Sequence, residues 1–169
     1  MAATLVLKRN IGTTAQQQRD AFNSLNYVAH TTLDSANILV GQAPVGRPAI
    51  GTAYSMEAWL TLRVTNAPSN NITNIFFWGN PSQAAAGIMM HVGTAVASAT
   101  PTMNKSTKAT HRTTAYPNNS RTLLWSNKTL VNVGDCSHFL ILQAQCTAAA
   151  GVGTFNTNNM VWHYSYLES

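Results

Sequence analysis

AYSMEAWLTLRVT, residues Ala53 to Thr65, is the stretch from which the rest of the chain can be read. Tyr54, Met56, Ala58, Leu60, Leu62 and Val64 fall on one parity. Ser55, Glu57, Thr61, Arg63 and Thr65 fall on the other, with Trp59 as its large apolar exception. A helix would scatter these apolar residues around its circumference, whereas a strand sends them to one face. The stretch therefore predicts one long strand, apolar on one side and polar on the other. Such a strand needs a second sheet over its apolar face, and a β-sandwich is the simplest architecture that supplies one.

On the C-terminal side, Asn66 to Asn71 turns around Pro68 into Ile72 to Gly79, ITNIFFWG, where Ile75, Phe76, Phe77 and Trp78 are apolar on both parities. That strand is expected to be buried on both faces or to lie beneath a neighbour, with Trp78 and Trp59 sharing the core. Asn80 to Ala86 reads as a loop and Gly87 to Val92 as a short strand. From Gly93 to Asn119 large apolar residues become sparse, which predicts an extended excursion or a partner-binding loop. RTLLWS at Arg121 to Ser126 reopens the apolar pattern, and Gly134-Asp135 is a turn signal before the next strand. In that strand His138, Leu140, Leu142, Ala144 and Cys146 share one face. Phe139, Ile141, Gln143 and Gln145 share the other, so one end is buried on both sides. Met160 to Leu167, MVWHYSYL, is a terminal aromatic strand.

On the N-terminal side, Gly41 to Gly51 carries the prolines and glycines of a loop. Asn26 to His30 and Ala36 to Val40 are short strand candidates separated by turn residues. Ala15 to Leu25 has room for one or two helical turns, and Ala3 to Lys8 reads as an arm or an edge strand. Together these make about eight strand candidates without a convincing amphipathic helix, the pattern of an antiparallel sandwich or jelly roll. The expected organisation is an N-terminal arm and linker over 1–25 and one all-β domain over 26–169. A long loop interrupts that domain at about 93–119.

The 169 residues suit one domain with a real core. Charged residues make up only 9%, so the surface is hydroxyl and amide, suited to contacts through neutral hydrogen bonds. The net charge of +5 reflects a shortage of acids, ten basic residues facing five. Lys105, Lys108, His111 and Arg112 are its only local concentration. No aromatic residue is interleaved there for base stacking, so nucleic acid is not implied as a partner. No apolar run approaches a membrane-spanning length, and the N-terminus lacks the pattern of a secretory signal. Cys136 and Cys146 sit at the two ends of one predicted strand, about 30 Å apart, and are not expected to pair.

Reaction chemistry finds little support. The five acids are Asp20, Asp34, Glu57, Asp135 and Glu168, and no spacing among them brings two carboxylates to glycosidase distance. His30, His91, His111, His138 and His163 show no metal-ligand spacing, and His91, His138 and His163 are read as interior or interstrand hydrogen-bonding residues. Nucleophile elbows and phosphate-binding loops are missing, so no enzyme, cofactor, metal or small-molecule substrate is expected. Trp125, Trp162, Tyr164 and Tyr166 could stack sugar rings if exposed on one face, although alternating aromatics usually fill a sandwich core.

The final block carries a resemblance. The Gly134-Asp135 turn, the apolar strand containing Gln143, the small-residue loop at Ala150-Gly151 and the ending Tyr164-Ser165-Tyr166-Leu167-Glu168 resemble β-sandwich virion proteins of tailed bacteriophages. The Tyr54-Ser55 to Trp59 opening and the strand from Asn71 to Phe77 look like earlier parts of the same family. The resemblance covers about Tyr54 to Glu168 and implies a non-enzymatic capsid decoration or cement protein on the virion surface, made in the host cytoplasm. Its implied partners are a major capsid protein and copies of itself, as a homo-oligomer such as a trimer. A carbohydrate- or receptor-binding module and a self-assembling jelly-roll coat protein are the alternatives, the latter opposed by the lack of a strongly basic arm. The arm Met1 to Asn23 and the loop Gly93 to Asn119 are expected to reach neighbours. Lys8, Arg9, Arg19, Lys105, Lys108 and Arg112 are their expected contact residues; no motif carries these over.

Overall fold

The computed structural model describes residues 3–10, 47–55, 57–79, 87–99, 112–115, 123–151 and 162–169. Among them are nine strands and no helix: β1 (Thr4–Asn10), β2 (Thr52–Tyr54), β3 (Ala58–Asn66), β4 (Ile72–Gly79), β5 (Ile88–Ala95), β6 (Arg112–Ala115), β7 (Leu123–Ser126), β8 (Phe139–Thr147) and β9 (Trp162–Glu168). They form two antiparallel sheets. The larger runs in the order β1-β3-β8-β5-β6 with β2 also on β8, and the smaller is β7-β4-β9. The expected all-β sandwich is thus present.

Between the sheets lies one apolar cluster. Ala58, Leu60, Leu62 and Val64 of β3, Leu140 and Leu142 of β8 and Val92 of β5 meet Ile72, Ile75 and Phe77 of β4 and Trp125 of β7. Each large side chain so buried contributes roughly 1.5–3 kcal/mol. The parity read from Ala58 onward is the one that faces this core.

The expected single long strand is two strands separated by a bulge. Tyr54 lies opposite Gln145 and Ala58 opposite Leu142, so four steps on one side match three on β8. The extra residue is accommodated by side chains. Ser55 N–H donates to the Ala144 carbonyl at 2.9 Å, Ala144 N–H donates to Ser55 Oγ at 2.9 Å, and Gln143 Nε2 donates to the Ser55 carbonyl at 2.9 Å. Ser55 and Gln143 are both fully buried. Ser55→Ala leaves the Ala144 N–H without this acceptor, and an expected loss of about 2 kcal/mol is read from urea unfolding.

The second correction concerns the polar parity, which is not a solvent face. Glu57, Trp59 and Thr61 are buried on the reverse side of the larger sheet, where Trp59, Phe139 and Ile141 form a second apolar cluster. Trp59 meets Phe139 edge to face, with ring centroids 5.3 Å apart. Trp78, expected beside Trp59, is half-buried in the smaller sheet and belongs to neither buried cluster.

Thr4–Asn10, read as an arm or an edge strand, is the edge strand, paired with β3 from Thr4 opposite Asn66 to Asn10 opposite Trp59. That part of the expected arm therefore belongs to the sandwich. β5 continues to Ala95, and β6 lies inside the stretch expected as one long loop, with Val92 opposite Thr114 and Gly93 opposite Arg112. The candidate strands at 26–30 and 36–40, and the helical turns at 15–25, lie outside the described residues. In β4, a register shift between Thr73 and Phe76 coincides with Asn74 at φ 50°, a conformation asparagine tolerates better than most residues.

The pairing has a nested order. β3 pairs with β8, β4 with β7 and β5 with β6, so successive strands from one half of the chain meet successive strands of the other in reverse. β5 also pairs with β8 along eight residue pairs, from Ile88 opposite Cys146 to Ala95 opposite Phe139.

Candidate functional site

The polar groups of the reverse face are internal. Trp59 Nε1 donates to Glu57 Oε2 at 2.8 Å, and His91 Nε2 and Gln145 Oε1 are hydrogen-bonded at 2.6 Å. Lys8, expected to contact a partner, lies opposite Thr61 on this face with only 4% of its surface exposed. Its position two residues inside an edge strand, on the parity that faces Thr61, takes it away from solvent. Arg9 lies opposite Leu60 and Arg112 opposite Gly93, both within strands of the larger sheet. Arg19, Lys105 and Lys108 lie outside the described residues. Of these six, the three described cations stand on β1 and β6, at opposite ends of the strand order of the larger sheet, and are not brought together.

Among the described residues no three His, Cys, Asp or Glu side chains group to hold a metal ion. Cys136 and Cys146 are both buried. No helix among the described residues is long and apolar enough to cross a membrane. Of the aromatic residues considered for sugar stacking, Trp125 is buried and Tyr166 packs against the core. Tyr164 is partly exposed, but its ring stands edge-on to Trp125 at 6.4 Å. A row of open ring faces is not formed by these three.

One end of the sandwich is more elaborately built. Here β3, β5 and β9 finish and β8 begins, and the β7–β8 connection folds back along β3. Gly134 N–H donates to the Val64 carbonyl, Val64 N–H to the Asp135 carbonyl and Ser137 N–H to the Leu62 carbonyl, each at 2.9 Å. Ser137 Oγ accepts from Leu62 N–H at 3.0 Å. Asp135 Oδ2 accepts from the N–H groups of Val131 and Asn132 at 2.8 and 2.9 Å, and Lys128 Nζ donates to the Cys136 carbonyl at 2.9 Å. This connection ties the sheets together, since Trp125 Nε1 donates to the His138 carbonyl at 2.8 Å and His138 N–H to Ser126 Oγ at 3.1 Å.

Ala3 and the segment Tyr166 to Ser169 close the same end. Both carboxylate oxygens of Glu168 lie 3.2 Å from Ala3 N–H, and Oε1 also accepts from Ser69 N–H at 3.3 Å. Ser169 and Asn71 exchange two backbone hydrogen bonds, and Tyr166 Oη donates to the Ala3 carbonyl at 3.4 Å. A carboxylate collecting backbone N–H groups from different segments fixes them relative to one another.

Two groups at this end titrate away from their ordinary values. The Asn132 N–H holds the Asp135 carboxyl below the usual range, helped by Val131 N–H and Lys128 and opposed by partial burial. Burial lowers His138, and the positive charge of Lys128 adds to it. His138 Nδ1 accepts from Ala97 N–H at 3.1 Å, which requires that nitrogen to be unprotonated. Both folded-state values lie below the unfolded ones, so the unfolded chain binds more protons and acid weakens the fold. The His138 contribution is complete above about pH 6.5 and is lost as pH falls through its lowered folded value. The Asp135 contribution is complete above about pH 4 and is lost further down in the same way. Urea midpoints followed across pH are expected to fall in these two stages, His138→Gln removing the upper and Asp135→Asn the lower.

No protein-family model matches the chain, and no match was found among curated proteins or solved structures. In the sequence the loop end appeared only as turn signals, because its structure depends on backbone partners in β3 and at the C-terminus.

Proposed function

We propose that the chain is a non-enzymatic structural subunit of a virion, a jelly-roll sandwich whose copies pack side by side in a protein shell. The nested pairing of β3 with β8, β4 with β7 and β5 with β6 carries this reading. Those three pairs fit one long antiparallel ribbon wrapped into two facing sheets, which supports a jelly roll of the kind that recurs in viral capsid domains. The step from fold to role is an analogy, since jelly rolls also serve lectins and cupins. Composition supports it independently. A chain with only 9% charged residues favours many neutral contacts between identical copies, each modest and multiplied by repetition.

A decoration subunit bound to a major capsid protein is the second reading, favoured by Lys8. With that cation buried, β1 does not supply a basic arm to line a shell around nucleic acid. Purified chain alone, followed by light scattering and negative-stain microscopy, separates the two. Closed particles of uniform size support the shell subunit, and a small oligomer that binds preformed shells supports decoration. A monomer that does neither would sink both.

A further inference from the structure

We infer that the closed end of the sandwich, tipped by Val131 and Val133, is a contact surface for a second copy of this chain. The inference rests on the virion reading for its biological sense, but the contact itself can be tested without it.

Four exposed aliphatic side chains lie on the segments that end or turn here. Val133 is 63% exposed and Val131 45%, with Leu167 at 49% and Val96 at 58%. Their placement follows from the pairing. Leu130, Ile72 and Glu168 lie side by side, Ile72 bridging to Leu130 on one flank and opposite Glu168 on the other. Both flanking segments run antiparallel to β4, so Val131 steps toward the level of Asn71 while Leu167 lies opposite Thr73, two strand spacings across and two residues along, roughly 12 Å apart. Val133 precedes Gly134, which is bonded to Val64, and Val96 lies between Ala95, opposite Phe139, and Ala97, bonded to His138.

Loop tips usually carry polar residues and move freely, whereas this one is apolar and held at many points. The Asp135 carboxylate fixes Val131 and Asn132, and Gly134, Asp135 and Ser137 are bonded to β3. A loop already ordered loses little further entropy on binding, which is how a small apolar surface becomes an effective contact. Exposed apolar groups concentrated in one place mark interaction sites more often than scattered ones do.

Charge points to a like partner. The whole chain carries +5, so most approaches between copies are repulsive. Here the balance differs. Asp135 and Glu168, the two described carboxylates other than the buried Glu57, are both at this end with Lys128 and Arg63. Among the described residues, two negative and two positive groups leave the end close to neutral. A surface meeting its own copy must tolerate its own charge, which this end does and the chain as a whole does not.

The test is sedimentation equilibrium of the full chain over a micromolar to sub-millimolar series, comparing wild type with the double variant Val131→Asp/Val133→Asp. Val131→Thr/Val133→Thr is carried alongside, because it keeps the branched shape if the aspartates disturb the loop. Wild type is expected to self-associate, and both variants to associate roughly tenfold more weakly or less, with thermal midpoints unchanged. A wild type that stays monomeric throughout, or variants that associate as wild type does, would overturn the inference. Association through these valines by a chain that neither builds nor joins a particle would contradict the virion reading and leave the contact standing.

Discussion

Trp59→Ala is expected to cost about 4–5 kcal/mol, a large share of the 5–15 kcal/mol that separates most folded domains from their unfolded states. Trp59 has no exposed surface, packs edge to face on Phe139 and donates its indole N–H to the buried Glu57 carboxylate. Truncation removes the largest member of the reverse-face cluster and leaves a cavity. It also takes one donor from a carboxylate that is shut away from water, which adds to the loss. Trp59→Phe separates the two contributions, since it retains most of the packing and lacks the N–H. Its expected cost is about 2 kcal/mol. Equal losses for the two variants would mean that the hydrogen bond, not the packing, dominates.

The second large effect is expected at Gly87, just before β5. Its φ of +77° disfavours any side chain, and a Cβ there would fall onto the backbone of Ala149 and Ala150. Gly87 also cannot move away freely, because its carbonyl accepts from Thr147 N–H at 2.8 Å and from Thr147 Oγ1 at 3.3 Å. Gly87→Ala is expected to cost about 3 kcal/mol through backbone strain and overpacking together. Gly51 provides the comparison within the same chain. It has nearly the same φ, +75°, but open space where the Cβ would stand, so Gly51→Ala carries the conformational cost alone, about 1 kcal/mol. Similar losses at the two glycines would show that the loop at Ala149-Ala150 yields.

Much of the fold was legible because it depends on local alternation. Ala58, Leu60, Leu62 and Val64 on one parity, and Leu140 and Leu142 on another strand, face the core as their period predicts. What misled was the use of polarity as a proxy for solvent. Ser55, Glu57, Thr61 and Gln143 are polar and buried, because the bulge gives Ser55 and Gln143 partners and Trp59 gives Glu57 one. The signal was present in Trp59, Phe139 and Ile141, which stand on the polar parity of their strands and have to be covered by something. The bulge itself left no trace, since a one-residue excess is a property of two strands together.

The surface reading was less accessible. Lys8 looked like the cation of a free arm, and only its pairing with Thr61 shows that it turns inward. Val131 and Val133 read as part of a turn region, and their exposure follows from Asp135 and β3 holding the loop in place. The nested strand order was equally hidden, because periodicity identifies strands but not which of them pair across long separations.

Peptide mass spectrometry with copy-number quantitation, applied to density-purified particles from the source culture, tests the virion reading most directly. The chain is expected in many copies per particle and in fixed ratio, as the dominant protein for a shell subunit or stoichiometric with another shell protein for a decoration subunit. Its absence from purified particles would contradict the account.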